Sequence, residues 1–211
     1  MPPASSNVLN IESLLKARYS DFSRDENERI LEGIQNFALR AQINIAMHRL
    51  LQDAARTVHS LFGFQEVAIG LRNPDDGKYR YDVIVGYGKE SENALRRCEY
   101  TYDQFVSQRE FPSIRITKLL DMNLGDLSPA LGKEKECWNR PMQLEVKRKS
   151  PDEFTEADYL DVMMFAPGND LLGWIEVSAP RDGKMPSGQT LRGLELFSSI
   201  LSLALQCQLK R

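Results

Sequence analysis

The chain has 211 residues, 42% hydrophobic and 27% charged, with a formal net charge of -3. That composition fits a globular protein with one sizeable core, and the acidic balance gives nucleic acid no electrostatic footing. No apolar run nears the ~18 residues of a membrane span. The opening residues, MPPASSNVLNIES, lack the basic-then-apolar pattern of a secretory signal.

Three cysteines, Cys98, Cys137 and Cys207, lie far apart and show neither a disulfide framework nor metal-ligand spacing. A reducing cytoplasm is the expected compartment.

Residues 1–23 read as an N-terminal extension with one short helix, Asn10 to Tyr19, and residues 24–211 as a single domain. Ser23 and Glu26 have the spacing of a capping box. One long helix is expected from Arg24 to Phe62. Ile30, Ile34, Phe37, Ala41, Ile45, Leu51, Ala55, Val58 and Phe62 repeat at helical spacing, with a second apolar row beside them. At ~1.5 Å per residue such a helix exceeds what one domain face covers. The surplus argues for a homodimer through Arg24–Phe62 and Thr190–Lys210. His48 and His59 sit on this helix about three turns apart, too far for one metal ion.

Gly63 ends the helix. Gln65 to Arg72 alternates as a strand, with Val67, Ile69 and Leu71 on one face and Ala68 and Gly70 on the other. After the turn Asn73 to Gly77, Tyr79 to Tyr87 returns as a second strand. Ser91 to Cys98 suits a short helix, Tyr100 to Phe111 an aromatic-rich helical or irregular segment, and Ile114 to Lys118 a short strand. From Leu119 to Pro151 the pattern is weak, with one strand candidate at Met142 to Lys147. The basic cluster Lys147-Arg148-Lys149, beside Glu145, Asp152 and Glu153, reads as a solvated loop.

Asp158 to Leu205 then gives strand, tight turn (Pro167 to Asp170), strand, loop and closing helix, with Ser187 placed to cap that helix. The expected class is α+β. A central antiparallel sheet of about five or six strands carries the terminal helices on one face and the segment from Ser91 to Pro151 on the other.

The register of the last hairpin decides what the second face presents. With Ala166 opposite Leu171, Asp161 faces Glu176, Val162 faces Ile175, Met163 faces Trp174 and Met164 faces Gly173. Leu160, Val162, Met164, Gly173, Ile175 and Val177 then form an apolar face suited to the helices. Asp161, Met163, Phe165, Leu172, Trp174 and Glu176 form a mixed face. Like charges directly across a ladder are destabilising, so if the face is covered Asp161 and Glu176 need a cation, a hydrogen-bonding partner or a shared proton, with Arg115, a cationic ligand or a metal ion as candidates. Small Ala68 and Gly70 on this face leave room. One reading is a small-molecule cavity floored by Asp161, Met163, Trp174 and Glu176 and covered by Tyr100, Tyr102, Phe105 and Trp138. The other is an exposed face or a filled secondary core.

The segments Leu172-Gly173-Trp174-Ile175-Glu176-Val177, Pro180 to Ser187 (PRDGKMPS) and Leu191 to Phe197 (LRGLELF) resemble the C-terminal half of GAF domains, small-molecule-sensing modules of signalling proteins. Leu50 to Gly70 and Gly86-Tyr87-Gly88 resemble the family's first helix-to-strand passage and second strand end. The resemblance spans roughly residues 29 to 208 and is weakest from Leu119 to Trp138. Ser178-Ala179 stand where members often carry acidic residues.

The resemblance implies a ligand between the sheet and the segment over it. It also implies a non-enzymatic sensory role and a kinase or other output partner reached through the terminal helices. A dimerisation module with a vestigial pocket is one alternative. Another is a cysteine-linked haem or redox sensor, for which Cys137, beside Trp138, is the residue placed to serve. The sequence requires no particular cofactor. It contains no nucleophile elbow or phosphate-binding glycine loop.

Overall fold

The structure, a computed structural model, describes residues 6–20, 24–41, 46–107, 109, 111–127 and 135–209. Among them are six α-helices: α1 (Ser6–Ser20), α2 (Arg24–Ala41), α3 (Met47–Leu61), α4 (Lys89–Leu95), α5 (Tyr102–Ser107) and α6 (Gly188–Leu209). The strands are β1 (Phe64–Arg72), β2 (Tyr79–Val85), β3 (Ser113–Arg115), β4 (Leu120–Asn123), β5 (Tyr159–Ala166) and β6 (Asp170–Pro180). They form one sheet in the order β2-β1-β6-β5-β4-β3, antiparallel throughout. The α+β class and the antiparallel sheet with terminal helices on one face are therefore as the sequence implies.

The expected single helix from Arg24 to Phe62 is instead two. α2 and α3 fold back on each other: Arg29 Nη1 donates to the Leu61 carbonyl at 2.7 Å, and Arg40 Nε to Asp53 at 2.9 Å. Gly33 lets the helices close up, since a Cβ there would meet Leu61 at 2.6 Å. The main apolar rows of the two helices thus meet one core, while Leu31 and Leu39 of α2 remain 55% and 56% exposed. Ile30, Ile34 and Phe37 from α2 join Leu50, Leu51, Ala54, Ala55 and Val58 from α3. Leu191, Leu194, Phe197 and Leu201 of α6 close this core over Val162, Met164, Ile175 and Val177 of the sheet. The Phe37 and Phe197 rings lie 4.5 Å apart.

The stretch set apart as an extension reaches the same core, with Ile11 and Leu15 of α1 fully buried. Arg192 Nε donates to the Tyr19 carbonyl at 2.7 Å, and Arg18 reaches the Met185 carbonyl at 2.5 Å. Ser23 lies outside the described residues, so the capping box has no counterpart to report. Ser187 does cap α6: its Oγ accepts from the Thr190 N–H at 3.1 Å.

Two further expectations change. Met142 to Lys147 forms no strand, only a 3-10 turn at Pro141–Gln143, while a strand unsuspected from the weak pattern, β4, pairs with β5. Arg148 is not solvated. Its side chain is 3% exposed, and Nη2 donates at 2.8 Å to Asp158, whose side chain is fully buried. Asp158 also accepts from Gly125 N, Thr155 N and Thr155 Oγ1, so this ion pair pins the 145–158 loop to the start of β5. No described helix is long and apolar enough to cross a membrane.

Candidate functional site

The side of the sheet turned away from the helices is built by strand alternation. β5 and β6 pair with Asp161 opposite Glu176, Val162 opposite Ile175, Met163 opposite Trp174 and Met164 opposite Gly173, the register expected. Toward the turn it slips: Phe165 faces Leu171 and Ala166 faces Asp170, leaving Leu172 as an extra residue. The irregularity sends Leu171 into the cavity-side cluster and Leu172 against the helix-side core, exchanging the expected places of the two.

The Asp161–Glu176 opposition extends further than the hairpin showed. Asp121 of β4 lies directly across from Asp161, and Arg115 of β3 directly across from Asp121. Ala68 completes the row beyond Glu176. Three carboxylates thus stand side by side across three strands. Arg115 does not neutralise the predicted pair but forks onto Asp121, at 2.9 and 2.8 Å. Asp161 Oδ2 accepts from Asn123 Nδ2 at 2.9 Å. Glu176 accepts from two phenols, Tyr81 at 2.6 Å and Tyr87 at 3.2 Å. Burial pushes the Glu176 carboxyl above its usual range against the lowering effect of these donors. Burial together with the Glu176 charge pushes both phenols well up.

A second buried acid adjoins this group. Glu66 of β1 accepts from Ser178 Oγ and Asn139 Nδ2, each at 2.6 Å, and burial raises its pKa as well. Tyr87 Oη lies 3.4 Å from Ser178 Oγ, so Glu176, Tyr87, Ser178, Glu66 and Asn139 form one polar chain from the sheet to the 135–139 segment.

Trp174 stands in the middle of the apolar part, 1% exposed. Its ring meets Tyr81 and Phe105 at 4.9 Å and Tyr100 at 5.8 Å, in tilted or edge-on geometries typical of aromatic pairs. The sequence suggested that small residues here leave room for a ligand; at Gly70 the room is taken by Trp174. A Cβ on Gly70 would stand 2.1 Å from the Trp174 indole, so the glycine makes space for that ring.

A cavity remains between this floor and its cover. Tyr81, Asp121, Asn123, Asp161, Met163, Trp174 and Glu176 line it from the sheet. Leu95, Tyr100, Gln104, Phe105, Phe111, Cys137 and Trp138 line it from above. Of the residues singled out in the sequence, Asp161, Met163, Trp174, Glu176, Tyr100, Phe105, Trp138 and Cys137 come together here. Arg115 is half-exposed beside the row rather than lining the cavity, and Tyr102 points to solvent. The free volume is about 60 Å³, room for a few waters and far below a typical drug-sized site. A ligand larger than that needs the cover to lift.

Sequence reasoning missed Asp121, Asn123, Tyr81, Tyr87 and Glu66. The alternation of Tyr79-Arg80-Tyr81 could have placed Tyr81, and the brief alternation Leu120-Asp121-Met122-Asn123 puts Asp121 and Asn123 on one face once a strand is recognised there. It also left Cys98 unassigned. Cys98 Sγ lies 3.7 Å from Cys137 Sγ beside the cavity.

No family model matches the sequence, and no curated protein does. Among solved structures, the chain is similar to the GAF domain of a phosphoenolpyruvate-protein phosphotransferase from Coxiella burnetii, with a TM-score of 0.58 at 10% identity over 87% of this chain and 96% of that one. The corresponding domain from Acinetobacter gives 0.55 at 14% identity, covering 85% and 94%. A phycoerythrobilin-bound GAF domain from a cyanobacterial phytochrome gives 0.55 at 14% identity, covering 90% and 99%. The fold is that of GAF domains.

Proposed function

We propose that this chain, with its GAF-domain fold, is a sensory module whose cavity takes a small molecule and whose terminal helices pass the bound state to an output partner such as a kinase or phosphotransferase. One observation carries the reading: the row Asp121–Asp161–Glu176 lies at the floor of an aromatic-walled cavity. Carboxylates held mainly by neutral donors favour a ligand that brings hydrogen-bond donors or positive charge. Aromatic faces around them favour a flat or cationic group. The similar domain that holds phycoerythrobilin supports the idea that this fold opens a ligand site, without naming the ligand here.

The route outward follows from alternation. Asp161, Met163, Trp174 and Glu176 face the cavity, while Val162, Ile175 and Val177, their chain neighbours, touch the helix-side core. A ligand that favours one strand geometry biases the packing of α6 by its differential affinity. α6 also carries Leu196 and Leu203, 41% and 62% exposed, and a homodimer through this helix would cover them. A second reading, a dimerisation module with a filled cavity, is favoured by the small free volume.

The test is a thermal-shift and native-mass screen of amines, nucleobases and other flat polar molecules against wild type, Glu176→Gln and Asp161→Asn, with sedimentation of the same samples. The expected result is a binder that raises Tm and quenches tryptophan emission in wild type and loses most of its effect in both variants. Absence of any co-purified or added binder would sink the sensing reading, and a monomer at high concentration would sink the dimer.

A further inference from the structure

Cys98 and Cys137 are separated by 39 residues of sequence yet lie Sγ to Sγ at 3.7 Å. The fold brings them there by two independent routes. Cys98 follows α4, with its N–H donating to the Leu95 carbonyl at 3.0 Å and its thiol donating to the Ala94 carbonyl at 3.5 Å. Cys137 ends the 3-10 turn Lys135–Cys137. That turn is held against the same part of the molecule by Ser91 Oγ donating to the Trp138 carbonyl at 3.0 Å, and by Gly88 N donating to Asn139 Oδ1 at 2.6 Å. Both thiols are half-buried, whereas Cys207 on α6 is exposed and distant in the fold.

We propose that Cys98 and Cys137 are a dithiol site that hydroperoxides convert to a disulfide, stapling the 135–139 segment to the end of α4 and fixing one wall of the cavity. A disulfide is ~2.05 Å long, so side-chain rotation and a small backbone shift bridge the remaining gap. Cys98 is the attacking sulfur. The hydrogen bond from Cys137, opposed by burial and helped by Tyr100, holds its thiol down at about 7, so a large share is thiolate at neutral pH.

The Cys98 thiolate attacks a peroxide oxygen, the O–O bond breaks, and the departing hydroxide takes up a proton to leave as water. Cys98 is then a sulfenic acid. The Cys137 sulfur attacks it, the S–S bond forms, the S–O bond breaks, and the second hydroxide leaves as water with the Cys137 proton. Two thiols lose two electrons and one hydrogen peroxide gains them. Leu95, Cys137 and Trp138 all line the cavity, so joining the two segments bears directly on its cover. The dithiol does not depend on the identity, or the existence, of a cavity ligand.

The full chain, reduced and then freed of reductant, is treated with one equivalent of hydrogen peroxide. Free thiols are expected to fall from three to one. Peptide mapping should join the Cys98 and Cys137 peptides, with dithiothreitol restoring both. Cys137→Ser should instead leave a sulfenic acid on Cys98 that dimedone captures, and Cys207→Ser should behave as wild type. Trypsin cleavage after Lys135 should slow in the oxidised protein and recover on reduction. Intermolecular disulfides through Cys207, or retention of all three thiols in wild type, would overturn the site without reference to any variant. An oxidised protein cut as fast as the reduced one would overturn the staple.

Discussion

β5 and β6 show two different kinds of interior on opposite sides of the same backbone. Toward the helices, Val162, Met164, Ile175 and Val177 are fully buried among aliphatic and phenylalanine side chains. Toward the cover, their neighbours Asp161, Met163, Trp174 and Glu176 are nearly as buried but sit among phenols, carboxylates and a small void. The first side is what holds a fold together: it removes apolar area from water at ~25 cal/mol per Å², and the buried Ser198 and Ser202 of α6 are satisfied by their own helix's carbonyls. The second spends burial on acids that need neutral donors, an arrangement weaker for stability and better suited to recognition. The helix side should therefore fail by unfolding, and the cavity side by changes in binding and titration.

The largest expected effect tests that division directly. Phe197→Ala removes a fully buried ring packed on Phe37 and Phe62 and should cost about 3–5 kcal/mol. Phe105→Ala, in the half-buried cover, should cost about 1 kcal/mol. Urea unfolding with an unchanged m-value measures both. Equal losses would mean that the cavity side is simply a second core.

The next effect concerns the place where the sequence suggested empty space. In Gly70→Ala the new Cβ would stand 2.1 Å from the Trp174 ring, so the indole must shift within its aromatic cluster. Overpacking of this kind costs roughly 1–3 kcal/mol. Tryptophan emission should change with it. A variant with wild-type stability and emission would show that the ring has free room beside it, and would return Gly70 to the cavity.

What was readable in the chain followed the range of the forces involved. The Asp161–Glu176 register was legible because strand alternation is local and a slip of one residue would invert both faces. The break between α2 and α3 was not. Residues 34–62 contain no Gly or Pro, and the apolar spacing runs on across the join because both helices face one core. β4 alternates, Leu120 and Met122 apolar against Asp121 and Asn123 polar, but over only four residues inside a stretch broken by Gly125, Pro129, Gly132 and Pro141, too short a run to stand out. Arg148 looked solvated because its partners, Asp126 and Asp158, lie 22 and 10 residues away. Asp121 and Cys98 were missed for the same reason: their significance lies in what the topology sets opposite them.

The smallest expected effect is a slope rather than a loss, and it separates the two sides most cleanly. Burial raises the Glu176 carboxyl in the folded chain above its ordinary value. The folded state then binds a proton more readily than the unfolded state between those two values. Its contribution to stability is fully present below the ordinary glutamate pKa, near ~4.3, and is lost as pH rises through the window up to the raised value. Glu66, raised by burial in the same way, adds to the same slope. Glu176→Gln keeps the side-chain shape, with its amide oxygen able to accept from one phenol and its amide nitrogen to donate to the other, but it does not titrate. Unfolding free energy measured against pH should fall through this window in wild type and fall less steeply in Glu176→Gln. Phe197→Ala should lower the whole curve without changing its slope, because the substitution removes no titrating group. Parallel curves for wild type and Glu176→Gln would mean that solvent reaches Glu176, and the polar chain through Tyr87 and Ser178 would lose its buried end.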